Sequence, residues 1–118
     1  MIPDAAPDRG RKLLDRVRHV LPHDTVREVR MFGVTAVVVD GAMVVAVHPD
    51  GSLLIRVDPA EDAALLERPD AARAEMGTGR SMGAGWIRVA ASALETDEGL
   101  DGWLRPAVDF NGRSGAGR

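Results

Sequence analysis

The spacing of hydrophobic residues changes along the chain from a helical pattern to a strand pattern near residue 25. Before that point, five apolar residues fall on one stripe at 3.6-residue spacing and predict a helix from residue 8: Leu13, Leu14, Val17, Val20 and Leu21. Pro22 ends this helix, because the residue before a proline disfavours the α-helical region. The segment "TVREVRMF" then predicts a first strand, which Gly33 ends.

Three further strands are predicted at residues 34–39, 42–48 and 52–57, separated by two turns. Asp40 and Gly41 suit a two-residue type I′ hairpin, which requires positive φ at both positions. Pro49, Asp50 and Gly51 separate the next two strands and keep the proline outside the paired segments. The four strands are therefore predicted to form a meander of hairpins.

This meander is apolar on both faces. With two-residue loops, one face is predicted to carry Thr35, Val37, Val39, Val44, Ala46, Leu53, Ile55 and Val57. The other is predicted to carry Val34, Ala36, Val38, Met43, Val45, Val47, Leu54 and Arg56. Burial of apolar surface contributes about 25 cal/mol per Å², so either face would be costly to leave in water. We expect helices to cover one face and a partner subunit to cover part of the other.

The second half of the chain mixes helices with one more strand. In "DPAEDAALLER", Asp58 is the predicted N-cap of a helix and Pro59 suits its first position. "DAARAEM" predicts a short second helix, "GTGRSMGAG" a loop and "WIRVA" a fifth strand. A last helix follows, with an apolar stripe at Leu100, Trp103, Leu104 and Val108. The pattern predicts an α+β fold: a five-stranded, mainly antiparallel sheet packed by an N-terminal, a middle and a C-terminal helix.

Length and composition fit a single domain. The chain has 118 residues, 45% of them hydrophobic, and no cysteine. We predict a flexible arm at residues 1–7, one domain at 8–110 and a disordered tail at 111–118. The lack of cysteine excludes disulfides and thiolate chemistry and suits a reducing compartment. With no signal peptide or membrane segment predicted, we expect a cytoplasmic protein.

The net charge of −3 is unevenly distributed. Residues 1–30 hold seven basic and five acidic residues, whereas residues 31–118 hold eight and thirteen. An acidic body does not favour nucleic acid as the main partner, because neutralised phosphates supply most of that affinity. The first helix does present Arg11, Lys12 and Arg18 opposite its apolar stripe, which is a face that can contact phosphates or an acidic protein. We expect nucleic-acid contacts to be weak or indirect, with direct binding through this face as the alternative, and take Arg56 and Arg80 as further candidate interaction residues.

No residue pattern points to catalysis or to a cofactor. The glycine-rich loop from Gly77 to Gly85 contains Arg80 but lacks the ending of a phosphate loop, so we expect a mobile connection, with ligand binding as the alternative. His19 and His23 have a metal-like spacing, but a proline between them breaks the helix that would align them. No serine lies in a Gly-x-Ser-x-Gly elbow. We predict a non-enzymatic protein with no catalytic residue, metal or cofactor.

The order of these segments resembles the N-terminal domain of the TfoX/Sxy family of competence regulators. "REVRMFGVTAVVVDGAMVVAVHPDGSLLIRVD" is similar to the family's Met-Phe-Gly followed by two hairpins with Asp-Gly turns. "GRSMGAGWIRVAASAL" resembles its Met-x-x-x-aromatic-x-x-Val-Pro pattern, and "DEGLDGWLRPAV" its closing tryptophan helix. The residues that carry the resemblance are Met31, Phe32, Gly33, Asp40, Gly41, Asp50, Gly51, Met82, Trp86 and Trp103.

The chain departs from the family pattern at three places. Val34 replaces a second glycine, Leu54 replaces an aromatic residue, and Ala90 or Ala91 stands where the family has proline. These changes leave the strand pattern whole.

The resemblance implies an α+β domain with a regulatory or protein-interaction role rather than an enzyme. Regulators of this family resemble co-activators that work with a DNA-bound transcription factor, and full-length members carry a further C-terminal helical domain. We expect this chain to be a stand-alone N-terminal domain with a protein partner, for which a transcription factor is one candidate. A homodimer is a further candidate assembly beside that partner.

Overall fold

Three α-helices and six β-strands follow one another in the computed structural model, which describes residues 5–21, 26–31, 33–75 and 79–116. The helices are α1 (Ala5–Val20), α2 (Asp62–Leu66) and α3 (Asp97–Ala116). The strands are β1 (Val26–Met31), β2 (Val34–Val39), β3 (Ala42–Val47), β4 (Leu53–Arg56), β5 (Ala71–Arg73) and β6 (Trp86–Val89). Short 3₁₀ turns at Pro59–Glu61 and Ala91–Leu94 lie before α2 and α3. The predictions made for Pro22, His23, Phe32 and Gly77 concern residues outside these ranges.

The six strands form one antiparallel sheet in the order β1-β2-β3-β4-β6-β5. The α+β class and the meander of β1 to β4 are confirmed, and the sheet has one strand more than predicted. The additional strand is β5, where the sequence pattern predicted a short helix. Asp70 has a φ of 68°, outside the helical region, immediately before β5. Pairing with β6 then gives the segment backbone partners that an isolated turn of helix would lack.

Both predicted hairpin turns are present and fix the meander. Asp40 and Gly41 have φ values of 55° and 84°, the two positive values of a type I′ turn. Gly51 has a φ of 90°, and its N–H donates to the carbonyl of His48 over 3.0 Å, which closes the turn between β3 and β4. Local turn chemistry is therefore sufficient to order the first four strands.

A β-bulge in β3 changes the predicted assignment of side chains to faces. Val37 pairs with Val45 rather than with Val44, so β3 contains one extra residue. Val45 and Val47 therefore lie on the face of Val37. Ala46 lies on the opposite face, so the predicted faces of these β3 residues were wrong.

The three helices bury their apolar residues in one core on a single face of the sheet, which we call the inner face. The helical residues of this core are Leu13, Val17, Leu65, Leu100, Trp103, Leu104 and Ala107, with Leu21 just after α1. The strands contribute Val37, Val39, Val44, Val45, Val47, Leu53, Ile55, Ile87 and Val89. The predicted packing of the sheet by an N-terminal, a middle and a C-terminal helix is thus confirmed.

Both terminal helices extend into segments that were predicted to be an arm and a tail. Helix α1 begins at Ala5, because alanine favours helix and Pro7 is tolerated in a first turn. Helix α3 continues to Ala116. Asn111 anchors this last part, since its buried side chain donates from Nδ2 to the carbonyl of Val39 over 3.3 Å.

Pro106 lies inside α3 and leaves one backbone carbonyl without its helical partner. In a regular helix the N–H of residue 106 would donate to the carbonyl of Gly102, and proline has no N–H. Arg68 donates from Nη1 to that carbonyl over 3.0 Å, and its guanidinium lies 4.7 Å from the centroid of the Trp103 ring. Arg68 therefore supports α3 at the turn that its internal proline weakens.

Replacing Arg68 by methionine is expected to lower the free energy of unfolding by about 1–2 kcal/mol, because the hydrogen bond and the ring contact are both lost. Arg105→Met is the matched control on the exposed side of α3. Arg105 pairs with Asp101 over 2.9 Å, and exposed pairs of this kind contribute little to stability. Urea unfolding of both variants measures the difference, and equal losses would contradict the role given to Arg68.

Candidate interaction surfaces

The face of the sheet opposite the helices, which we call the outer face, carries an apolar surface. Val29, Ala36, Ala46 and Leu54 lie side by side across β1 to β4. Alternation along each strand places the following residues with described side chains on the outer face: Arg27, Val29, Val34, Ala36, Val38, Met43, Ala46, Leu54, Arg56, Ala72, Trp86 and Arg88. The buried apolar residues of the described helices all belong to the core on the inner face. At one end of the outer face Phe110 of α3 lies against Arg56.

The apolar side chains of the outer face are partly open to water. Val29 is 36% exposed, whereas Ala36 and Ala46 are buried. The other large apolar residues are half-buried, namely Val34, Val38, Met43, Leu54 and Trp86. A sheet with one solvated face normally alternates apolar and polar residues. The apolar outer face is therefore atypical of a surface that only meets water.

Arginines border this apolar surface, and the outer face as defined carries no acidic residue. Arg27 is exposed on the edge strand β1. Arg56 lies against two aromatic rings, with its Cζ 5.8 Å from the centroid of Trp86 and 5.1 Å from that of Phe110. Arg88 pairs with the carboxylate of Asp50 over 3.2 Å. The border therefore has a positive charge that one acid of the adjacent turn offsets in part.

A cluster of hydrogen bonds holds the turn between β3 and β4 beside the outer face. Asp50 Oδ1 accepts from the N–H and from the hydroxyl of Ser52 over 2.9 and 2.7 Å, and Arg88 Nε donates to that hydroxyl over 3.0 Å. Burial opposes ionisation of Asp50, but the bonds from Ser52 and the charge of Arg88 outweigh it and lower the pKa of the carboxyl. Burial and then Arg88 lower the pKa of His48. The cluster fixes the orientation of Arg88 at the border.

The end of the glycine-rich loop is held by an ion pair that no sequence pattern indicated. Asp62 of α2 is 6% exposed, and Arg73 of β5 donates to both of its carboxylate oxygens over 2.8 and 2.5 Å. Arg73 Nη1 also donates to the carbonyls of Gly83 and Trp86 over 2.6 and 3.1 Å. The N–H of Gly85 donates to Asp62 Oδ1 over 2.8 Å. One ion pair thus joins α2, β5 and the start of β6.

Hydrogen bonds anchor the described part of the loop, residues 79–85, to α2 and to the residue after β5. Besides the Asp62–Arg73 pair, the N–H of Met82 donates to the carbonyl of Ala74 over 2.9 Å. Arg80 is exposed and lies in this segment. It makes no hydrogen bond or ion pair with another described residue, so the fold does not bring it together with the other candidate residues.

The basic residues of the predicted face of α1 lie in different surroundings. Arg18 forms an ion pair with Glu28 of β1, which offsets its charge. Arg11 and Lys12 are exposed. Arg11 lines a pocket between α1 and the sheet. Direct nucleic-acid binding through this face stays a prediction.

Within the described ranges, no three histidine, aspartate or glutamate side chains lie close enough together to hold a metal ion. His23, the second member of the predicted metal-like pair, falls outside those ranges. None of the helices there combines the length and the hydropathy needed to cross a bilayer. The cytoplasmic location stays a prediction.

Comparison with protein families decides the assignment of the chain. A family model described as the TfoX N-terminal domain matches residues 18–111. The chain belongs to the TfoX N-terminal domain family. The resemblance seen in the sequence is thereby confirmed. No curated protein and no solved structure matches the chain.

Most residues that mark this TfoX N-terminal domain shape its fold. They occupy turns or strand ends (Met31, Gly33, Asp40, Gly41, Asp50 and Gly51), the anchored loop (Met82) and the core (Trp103). Phe32 falls outside the described residues. Trp86 differs from the others, because it lies half-buried on the outer face against Arg56.

Two arginines of the outer face were missed as candidate interaction residues. Arg88 is placed there by its pairing with Leu54, and Arg27 by its pairing with Val38. For Arg27 a signal was present: the alternation in "VREVRM" puts it on the same face as Val29. For Arg88 no local signal exists, since β6 joins β4 only through the tertiary fold.

Proposed function

We propose that this TfoX N-terminal domain is a non-enzymatic regulatory module that binds a protein partner through its outer face. The observation that carries the proposal is the apolar surface from β1 to β4, which lies opposite the helical core and has large side chains that are partly open to water. Burying such surface contributes about 25 cal/mol per Å², so a partner would gain stability there. Family membership supports a regulatory domain in general. Co-regulation together with a transcription factor is the specific role that we propose.

The chemistry of the outer face supports a partner with a complementary surface. Its centre consists of valine, alanine, leucine and methionine side chains, whereas Arg27, Arg56 and Arg88 lie at its border. Interfaces commonly combine an apolar centre with a polar rim, and tryptophan and arginine are enriched among their strongest contacts. The complementary surface is therefore an apolar patch of another protein, bordered by aspartate or glutamate.

A second copy of the chain fits this surface less well. Face-to-face packing of two outer faces would bring positively charged borders close to each other. Like charges across an interface disfavour association. We therefore propose a different protein as the partner and treat a homodimer as an outcome that opposes the proposal.

Site-specific photo-crosslinking in the protein's own cells tests this proposal. A benzophenone side chain placed at position 38 probes the outer face, and one placed at position 20 is the matched control, because Val20 is 48% exposed on the helical side. We expect one protein to be linked from position 38 and not from position 20. With that protein purified, Arg27→Glu should weaken binding at least tenfold, and added salt should slow association.

Arg105→Glu is the control for the charge change, since Arg105 lies on the helical side. It should leave the affinity unchanged. Equal crosslinking from both positions, or a dimer of the chain itself in light scattering and in the crosslinked product, would refute the proposed partner. Arg27 is exposed on an edge strand, so its replacement tests binding without disturbing the core.

A further inference from the structure

A small basic pocket lies between the first half of α1 and the sheet, on the side away from the outer face. Its volume is about 180 Å³, and its lining includes Arg11 of α1, Arg30 of β1 and Thr35 of β2. Gly10 and Gly33 also line it. None of its lining residues is acidic, so no side chain of the lining offsets the charges of Arg11 and Arg30.

A close approach of two backbones builds this pocket. The N–H of Gly10 donates to the carbonyl of Pro49 over 3.1 Å. A Cβ at Gly10 would lie 2.7 Å from the carbonyl oxygen of His48. Glycine therefore lets α1 rest directly on the turn between β3 and β4. This contact places Arg11 opposite the strand ends that carry Arg30 and Thr35.

The two arginines of the pocket are without partners among the described residues. Five other arginines of those ranges form ion pairs, namely Arg16, Arg18, Arg73, Arg88 and Arg105. Neither Arg11 nor Arg30 makes a hydrogen bond or an ion pair with a described residue. Guanidinium groups bind phosphate through paired, charge-assisted hydrogen bonds. The hydroxyl of Thr35 is a further potential donor.

We propose that this pocket binds the phosphate group of a small phosphorylated ligand. Two guanidinium groups match the two negative charges of a phosphate monoester, and the volume suits a single such group. A long polyanion fits less well, because the whole chain has a net charge of −3. The site is separate from the outer face and does not depend on the function proposed for it.

Titration of the full chain with inorganic phosphate, followed by proton–nitrogen correlation spectra at constant ionic strength, tests the proposal. We expect saturable shifts of the amide signals of Gly10, Arg11 and Gly33, and the same signals should move with ribose 5-phosphate. The double variant Arg11→Gln/Arg30→Gln should bind phosphate at least tenfold more weakly. Arg27→Gln/Arg80→Gln is the matched control, since it removes the same charge from two exposed arginines outside the pocket.

The result expected is a loss of phosphate binding in the first double variant and unchanged binding in the second. Thermal unfolding of both confirms that the exposed substitutions leave the fold intact. Shifts that do not saturate, or an equal loss in both variants, would overturn the site. Binding of a short DNA duplex at these residues, without binding of either small phosphate, would overturn the assignment to a small ligand.

Discussion

Replacing Asp62 by alanine is expected to lower the free energy of unfolding by about 3 kcal/mol, near the low end of the range for breaking a buried ion pair. The substitution leaves Arg73 without its carboxylate and the N–H of Gly85 without its acceptor. The low end applies because the Arg73 side chain is 29% exposed and keeps its bonds to two carbonyls. The Asp62–Arg73 pair thus makes a larger contribution than the exposed ion pairs of the molecule.

Thermal unfolding measures this effect, and the midpoint should fall by more than about 10 °C for a domain of this size. Asp101→Ala is the matched control, because Asp101 forms an exposed pair with Arg105 within α3. Loss of such a pair should change the midpoint little. Amide exchange should accelerate at Met82 and Gly85 in the Asp62 variant. A loss no greater than that of the control would show that the pair does not hold the loop.

The same ion pair predicts sensitivity to acid. The hydrogen bonds from Arg73 lower the pKa of Asp62 below its ordinary value of 3.8, with help from the N–H of Gly85 and against the effect of burial. A carboxylate with a lower pKa in the folded protein stabilises it above the unfolded pKa of about 3.9 and loses this contribution as the pH falls through the folded value. Below about pH 4, the free energy of unfolding of the Asp62→Asn variant should therefore fall less steeply with decreasing pH than that of the wild type.

Features fixed by a few neighbouring residues could be predicted from the sequence. Asp40 and Gly41 define their turn through their own φ values, and Asp58 caps the turn after it by accepting from the N–H of Ala60 over 2.9 Å. The strand β5 could not be found this way. Its three residues become a strand because β6, which lies beyond the glycine-rich loop, offers them a pairing edge. The bulge at Val44 likewise depends on the register of two strands.

The candidate surfaces show the same division between local and long-range information. The double-sided apolar pattern of the meander predicted a face in need of a partner, and the helices indeed occupy one face. The charges around that face depend on tertiary contacts. Glu28 offsets Arg18 of the predicted basic face, whereas Arg88 joins the outer face only through the pairing of β6 with β4. Residue type alone therefore identified the apolar surface better than its charged border.

Two glycines of α3 are expected to respond to alanine with opposite signs. A Cβ at Gly99 would lie 2.4 Å from the carbonyl oxygen of Ala93. This oxygen belongs to the backbone and cannot move aside by a change of side-chain rotamer. Gly99→Ala should lower the free energy of unfolding by about 1–3 kcal/mol, as overpacking does. At Gly102 nothing lies within 4 Å of the added Cβ. Gly102→Ala should raise the free energy of unfolding by about 0.5–1 kcal/mol, because alanine favours helix and restricts the unfolded chain.

Urea unfolding of the two variants beside the wild type decides between these signs. The carbonyl of Gly102 that accepts from Arg68 is a backbone group, so Gly102→Ala keeps that hydrogen bond. The comparison therefore isolates the contact between the start of α3 and the 3₁₀ turn before it, where Gly99 also donates its N–H to the Thr96 hydroxyl over 3.0 Å. If both alanine substitutions stabilised the protein, helix propensity would outweigh the contact with Ala93. The close approach at Gly99 would then not require glycine.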